Sequence, residues 1–153
     1  MASQNLLQRL DTAAETTGSS VDASNRRIEE VFIAAEDVSA GDFLCLDLSE
    51  SDDSDKMLKV KKATDVATAA NTGLCVGVAI ADALENANVR VLLRGIIDDA
   101  NVATGTAAGS SLIPTATAGR CDGATATDTA KIVAYSLEAA SSNTAKVYVF
   151  PQF

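Results

Sequence analysis

The densest group of possible metal ligands in the sequence is the acidic run DLSESDDSDK, residues 47–56. A calcium loop of the EF-hand type places oxygen ligands at alternate positions, a glycine at the sixth position and a bidentate glutamate at the twelfth. Counted from Asp47, those two positions hold Asp52 and Leu58, so the run does not fit this loop. Serine and aspartate favour turns by bonding their own backbone. A solvated hairpin tip is therefore the preferred interpretation; calcium binding over 47–55 stays open, and we assign no metal ligand.

Catalytic constellations are missing from the sequence. There is no histidine, which removes the commonest general base and metal ligand and with it any Ser-His-Asp or Cys-His nucleophile. Asp98 and Asp99 are adjacent, so in a strand they would face opposite ways rather than flank a glycosidic bond. No glycine pattern fits a phosphate-binding loop. We predict that the chain is not an enzyme and binds no cofactor.

The three cysteines Cys45, Cys75 and Cys121 match no zinc or CxxC spacing. No signal peptide is recognisable, so we expect synthesis in a cytosol and reduced cysteines that behave as small buried apolar residues. No apolar run approaches the roughly 20 residues that cross a bilayer, so a membrane partner is not expected.

Charge argues against nucleic acid as a partner. The formal net charge is −9 and the pI is near 4.3, whereas affinity for a phosphate backbone depends on clustered lysine and arginine. The clustered cations, Lys56, Lys59, Lys61 and Lys62, directly follow the acidic run. We expect them to neutralise it locally.

The elements that would position these residues are strands. From Val31 onward the hydrophobic period is two, as in VRVLLR, where Val89 and Val91 share one face and Arg90 and Arg94 the other. Short connections leave no room for crossover helices, and closing the sheet removes its edges. We predict an all-β fold: a small closed antiparallel β-barrel or sandwich of about eight strands. The predicted strands are 30–34, 42–48, 57–61, 74–81, 89–93, 111–114, 131–135 and 146–150.

Residues 1–30 differ from the β domain, 31–153, and are predicted to form an N-terminal, partly helical arm. Leu6, Leu7 and Leu10 have helical spacing, and a Thr/Gly/Ser stretch at 16–20 follows them. A lone helix of this length is marginal in water. These leucines either become ordered on a partner or cover one end of the barrel.

A weak internal repeat suggests that the β domain has two similar halves, about 31–95 and 102–150. Ala40-Gly41 corresponds to Ala108-Gly109, and Val89-Arg90-Val91 to Ala145-Lys146-Val147; each half also carries a Leu-Glu pair, at 84–85 and 137–138. Each half would bury its apolar side against the other. Chance similarity between alanine-rich strands is the alternative.

The β domain carries a series of short motifs: Ala40-Gly41-Asp42, Gly77-Val78-Ala79, Leu84-Glu85, Val89-Arg90-Val91, Arg94-Gly95, Ala108-Gly109, Leu112 and the closing stretch from Ala139-Ala140 to Val149. Over about residues 31–150 this series resembles the capsid cement, or head decoration, proteins of tailed bacteriophages. The resemblance implies an all-β domain that assembles, commonly as trimers, on the outside of an icosahedral shell and ties neighbouring capsomers together. It implies the major capsid protein as partner, a homotrimer, and a place on the outer capsid surface of the virion after synthesis in the host cytoplasm.

Our expectation is therefore a structural virion protein that acts as capsid cement. The residues expected at the capsid or at a sister subunit are Leu6, Leu7, Leu10, Arg90 and Arg94; for the arginines, a solvated strand face is the alternative. A second reading is a tail or head-fibre component that attaches to a receptor or anchors another fibre protein. A third is a small hydrolase or ligand-binding barrel, for which the sequence offers no convergent polar groups.

Overall fold

The computed structural model describes residues 27–64, 75–125 and 132–150. The predicted arm, with Leu6, Leu7 and Leu10, lies outside these residues apart from its last positions. Within the described residues the elements, in chain order, are β1 (Ile28–Ala34), β2 (Phe43–Leu46), α1 (Asp53–Leu58), β3 (Lys59–Lys62), β4 (Cys75–Ala79), β5 (Asn88–Asn101), β6 (Ser111–Pro114), β7 (Cys121–Gly123), β8 (Ala134–Ser136) and β9 (Thr144–Val149).

The first five strands close into a barrel, which we call barrel 1. Their order is β1-β3-β2-β4-β5, and β1 pairs again with β5. The predicted all-β fold with a closed barrel is confirmed. The expectation of purely antiparallel pairing is wrong for β1 and β3, which run parallel with Ile33 opposite Lys59. Strand direction cannot alternate all the way around a ring of five, so one parallel pair is unavoidable.

β5 continues from barrel 1 into a second sheet. Its residues up to Arg94 pair with β1, whereas those from Gly95 to Asn101 pair with β9. Gly95 lies at the change-over with φ 131°, a backbone conformation that glycine adopts readily. The sequence predicted a strand only at 89–93, because Gly95 and the acidic pair 98–99 interrupt the alternation; a bulge between Ile97 and Ala100 accommodates that pair.

The second sheet forms a second ring, barrel 2. Its order is β5-β9-β8-β6-β7, and Val102, directly after β5, bridges in parallel to Cys121 of β7. β7 was not among the predicted strands. Three residues are short for a periodicity signal, so its pairing with β6 decides its conformation.

The same backbone hydrogen bonds occur at matching places in the two barrels. In barrel 1 the backbone amides of Gly41, Ile80 and Ala34 donate to the carbonyls of Ala79, Arg90 and Ala87, respectively. In barrel 2 the corresponding amides of Gly109, Leu137 and Val102 donate to the carbonyls of Ser136, Lys146 and Asn143. The turns at 40–41 and 108–109 therefore match, as do residues 89–91 and 145–147. The two Leu-Glu pairs do not match, because Leu137 takes the place of Ile80 rather than that of Leu84.

Apolar side chains fill both barrels. Leu44, Val60 and Val91 are fully buried in barrel 1, and Leu112 and Val147 are fully buried in barrel 2. The three cysteines are free and buried, as predicted. Burial raises the pKa of the Cys45 thiol to about 11 and that of Cys75 to about 12, so both thiols stay protonated near neutral pH.

The prediction of a strand at 57–61 is half wrong, because α1 ends at Leu58 and β3 begins only at Lys59. Asp52 caps the helix, its carboxylate accepting from the Ser54 amide at 2.8 Å, and acidic residues in the first turn complement the helix dipole. Leu58, the last residue of the helix, is 50% exposed, whereas Val60 on β3 is buried. No helix among the described residues has the length and apolar character needed to cross a membrane.

Candidate docking surface

Arg90 lies on the outer face of β5, opposite the buried Val89 and Val91 as predicted, and its side chain is 62% exposed. It forms an ion pair with Glu29 of β1, which also binds Arg27. The hydrogen bond from Arg90 is the main reason that the pKa of Glu29 is lowered. An exposed pair of this kind is worth about 0–1 kcal/mol, so it aligns β1 with β5 rather than holding the fold together.

Arg94 stands where barrel 1 meets barrel 2. It is exposed, lies opposite Ile28 of β1, and its Nε donates to the Tyr148 hydroxyl at 3.2 Å. The structure thus brings Arg94 to the edge of an apolar surface on barrel 2. The role of both arginines in docking stays a prediction, and Leu6, Leu7 and Leu10 lie outside the described residues.

That apolar surface, which we call the aromatic face, consists of Ile113, Ile132, Tyr135, Tyr148 and Phe150. Tyr135 and Tyr148 are direct partners on β8 and β9, and the rings of Tyr135 and Phe150 lie 5.5 Å apart. Tyr135 is 42% exposed and Ile132 36%. Both tyrosines of the chain therefore lie on one solvent-facing surface, and exposed apolar groups gathered in this way are typical of interaction sites.

Sequence reasoning missed the aromatic face. Its signal was present: in AKVYVF, Val147 and Val149 point into barrel 2, which leaves Tyr148 on the outer side of the strand. An aromatic ring at a position where alternation calls for a polar residue is informative in a chain with only 4% aromatic residues.

The acidic run is neutralised by neighbouring lysines, as expected. The ion pairs join Lys61 to Asp47 at 2.6 Å, Lys59 to Glu50 at 2.8 Å and Lys56 to Asp53 at 2.7 Å. Burial would raise the pKa of Asp47, but hydrogen bonds from Lys61 and Ser49 outweigh it and lower that pKa. Within residues 27–64, 75–125 and 132–150, no group of three or more acidic or cysteine side chains is placed to hold a metal ion.

An open depression on barrel 1 is lined by Asp37, Val38, Ser39, Asp82, Ala83 and Leu84. Its two carboxylates are engaged with the backbone. Asp82 accepts from the Ala40 amide at 2.8 Å, and Asp37 accepts from the Glu85 amide at 2.9 Å. These aspartates shape the surrounding turns.

Comparison with known proteins gives a likeness in fold. No protein-family model and no curated protein matches the sequence. Among solved structures, the crystal structure of the head fiber gp8.5 N base of bacteriophage phi29 is similar, with a TM-score of 0.54 and 16% sequence identity. The match covers 80% of this chain and 93% of that chain. At this identity the likeness establishes that the two proteins share a fold.

Proposed function

We propose that this chain is a structural protein of a phage particle that binds the outer surface of the capsid shell as a decoration, or cement, protein. The observation that carries the proposal is the fold shared with the base of a phage head fibre over most of both chains. The resemblance of the sequence to head decoration proteins, in the Ala-Gly-Asp turn and the Val-Arg-Val strand, points to the same part of the particle.

The proposed partners are the major capsid protein and two further copies of this chain. Contacts that are weak in one subunit add up in a trimer, because the second and third contacts form at high effective concentration. The two barrels suit such a role: closed β structure resists deformation, and within the described residues the first and last strands of each ring meet, at β1–β5 and at the Val102–Cys121 bridge. A net charge of −9 fits an exterior position better than contact with the packaged genome.

A second candidate is the base of a head fibre, which would anchor another fibre protein to the shell. The name of the similar phi29 protein, a head fiber base, favours it. Both candidates require binding to the shell. They differ in what binding does, since cement stabilises contacts between capsomers whereas a fibre base presents a further protein.

Cosedimentation with undecorated shells tests the proposal. We expect the purified protein to saturate the shells at a fixed number of copies and to raise the temperature at which they come apart. Saturable binding without added shell stability would favour the fibre base. Absence of binding to shells of the source phage would refute both candidates.

The arm is the proposed clamp of this assembly. Deleting residues 1–26 is expected to weaken shell binding while leaving the unfolding transition of the barrels in place, because β1 begins only at Ile28. Replacing Leu6, Leu7 and Leu10 with serine tests the same point with the arm present. Unchanged binding of both variants would show that the arm has no part in docking.

A further inference from the structure

One part of the outer surface of barrel 1, on β2, β4 and β5, is covered by barrel 2. Five outward side chains of barrel 1 are at most 9% exposed: Phe43, Cys45, Cys75, Val78 and Leu92. They belong to one apolar cluster with the interior residues of barrel 2, among them Leu112 and Cys121. Barrel 1 therefore uses this face as an internal docking surface.

The aromatic face is the counterpart of this covered face on barrel 2. The cross-strand pair Phe43–Val78 of barrel 1 corresponds to the pair Ser111–Tyr135 of barrel 2. In the same way, the pair Val78–Leu92 corresponds to the pair Tyr135–Tyr148. Two of these three buried positions, Val78 and Leu92, thus recur in barrel 2 as tyrosines, whereas Phe43 recurs as the small Ser111; Tyr135 is 42% exposed. Among the described residues, an apolar face that is covered in one barrel is therefore partly exposed in the other.

The turn of barrel 2 that is hydrogen-bonded to barrel 1 also has a counterpart. The Gly119 carbonyl, in the turn 115–120 of barrel 2, accepts from the Phe43 amide at 2.9 Å, and the Gly119 amide donates to the Ala63 carbonyl at 2.9 Å. A hydrogen bond of 3.0 Å from the Thr115 amide to the Arg120 carbonyl closes this turn. In barrel 1 the matching bond runs from the Asp47 amide to the Lys59 carbonyl, at 2.9 Å.

Between Asp47 and Lys59 lies a longer loop that contains α1, which we call the helix loop. It ends in two exposed apolar side chains, Met57 at 63% and Leu58 at 50% exposure. The helix loop thus occupies on barrel 1 the place of the turn that, on barrel 2, is hydrogen-bonded to barrel 1. It carries apolar side chains that are suited to pack on an outer barrel face.

We propose that the aromatic face of one copy binds the helix loop of a second copy. Barrel 1 of one subunit would then pack on the outer face of barrel 2 of the next. Within one chain, barrel 2 packs on the outer face of barrel 1 in the same way. Charge supports the pairing, since Arg94 borders the aromatic face, whereas residues 47–59, despite their ion pairs, carry five acidic side chains against two lysines. The contact is heterologous, and repetition of such a contact closes a ring when the rotation allows it. The inference deepens the trimer of the proposed function, and its test needs no shell.

Sedimentation velocity on the full chain tests the contact with two variants, Leu58→Asp in the helix loop and Tyr135→Asp on the aromatic face. Each is expected to sediment as a monomer at concentrations where the unmodified chain is a trimer. The matched control is Leu84→Asp, which charges a leucine that is 71% exposed in the depression of barrel 1; it should leave the trimer intact. Circular dichroism must show that each variant is folded, and Tyr135→Ser and Leu58→Ser replace any variant that is not.

A mixture of the two variants gives the sharper result. Each retains one intact half of a head-to-tail contact, so a 1:1 mixture should form a dimer and nothing larger. Variants that remain trimers would overturn the proposal, and so would an unmodified chain that stays monomeric. Two monomeric variants that fail to pair, when mixed well above the concentration at which the unmodified chain assembles, would also overturn it, since together they carry both intact halves of the contact.

Discussion

Two glycines in matching turns allow the packing between the barrels to be tested with an internal control. Gly41 and Gly109 have φ values of 89° and 81°, and both donate the matching hydrogen bond described above. A side chain added at Gly109 would meet nothing within 4 Å, whereas a Cβ at Gly41 would lie 2.3 Å from the Asp99 carbonyl oxygen. The two sites therefore share backbone strain and differ in their contact with β5.

The expected magnitudes follow from that difference. Alanine in the left-handed region costs about 1–2 kcal/mol, and this is the whole cost expected for Gly109→Ala. Gly41→Ala adds overpacking, about 1–3 kcal/mol. It also puts at risk the hydrogen bond from Asn101 to the Gly41 carbonyl, 2.9 Å long and worth about 1 kcal/mol. We expect Gly41→Ala to lose about 2 kcal/mol more than Gly109→Ala.

Urea unfolding followed by circular dichroism measures both losses under one set of conditions. The comparison requires that the two variants unfold with the same dependence on urea as the unmodified protein. Equal losses at the two positions would refute the placement of β5 beneath the turn at Gly41, and a larger loss at Gly109 would contradict it outright.

Further predictions concern the core, pH and the thiols. Leu112→Ala should cost about 2–5 kcal/mol in urea unfolding, because the side chain is fully buried; a loss below about 1 kcal/mol would contradict a packed interior of barrel 2. The pKa of Asp47 is lowered in the folded protein, so its ionised form stabilises the fold above the ordinary carboxyl pKa, and this contribution is lost as pH falls through the folded-state pKa. Asp47→Asn should therefore make the free energy of unfolding decline less steeply with acid. An unchanged pH profile would show that the pair with Lys61 does not have this role. Burial raises the pKa of all three thiols, so a thiol reagent at pH 8 should modify none until the chain is unfolded; rapid modification of any in the native protein would contradict its burial.

The sequence predicted most strands. Alternation along β9 reports which side is buried, whereas β2 and β4 are short apolar runs that are buried on both faces. It could not predict that β5 runs through both barrels. Gly95 and the acidic pair 98–99 interrupt the alternation of apolar and polar residues that predicts a strand. Only pairing with β9 keeps these residues extended. It also misplaced Met57 and Leu58, since their helix depends on a cap at Asp52 rather than on periodicity.

The candidate docking surface was predicted less well than the fold. Arg90 and Arg94 were singled out for their charge, and both are exposed, but they lie beside partners within the chain. The aromatic face joins residues on or next to β6, β8 and β9 that are separated along the chain. Only the pairing of those strands shows that Tyr135 and Tyr148 are neighbours.

A reconstruction of the phage particle by electron cryomicroscopy tests the central claim most directly. The account predicts double-barrel density on the outer surface of the capsid shell, in rings of three, with the helix loop of each subunit against Tyr135 and Tyr148 of the next. Particles that carry this chain in the tail or inside the shell, or that lack it altogether, would contradict the account.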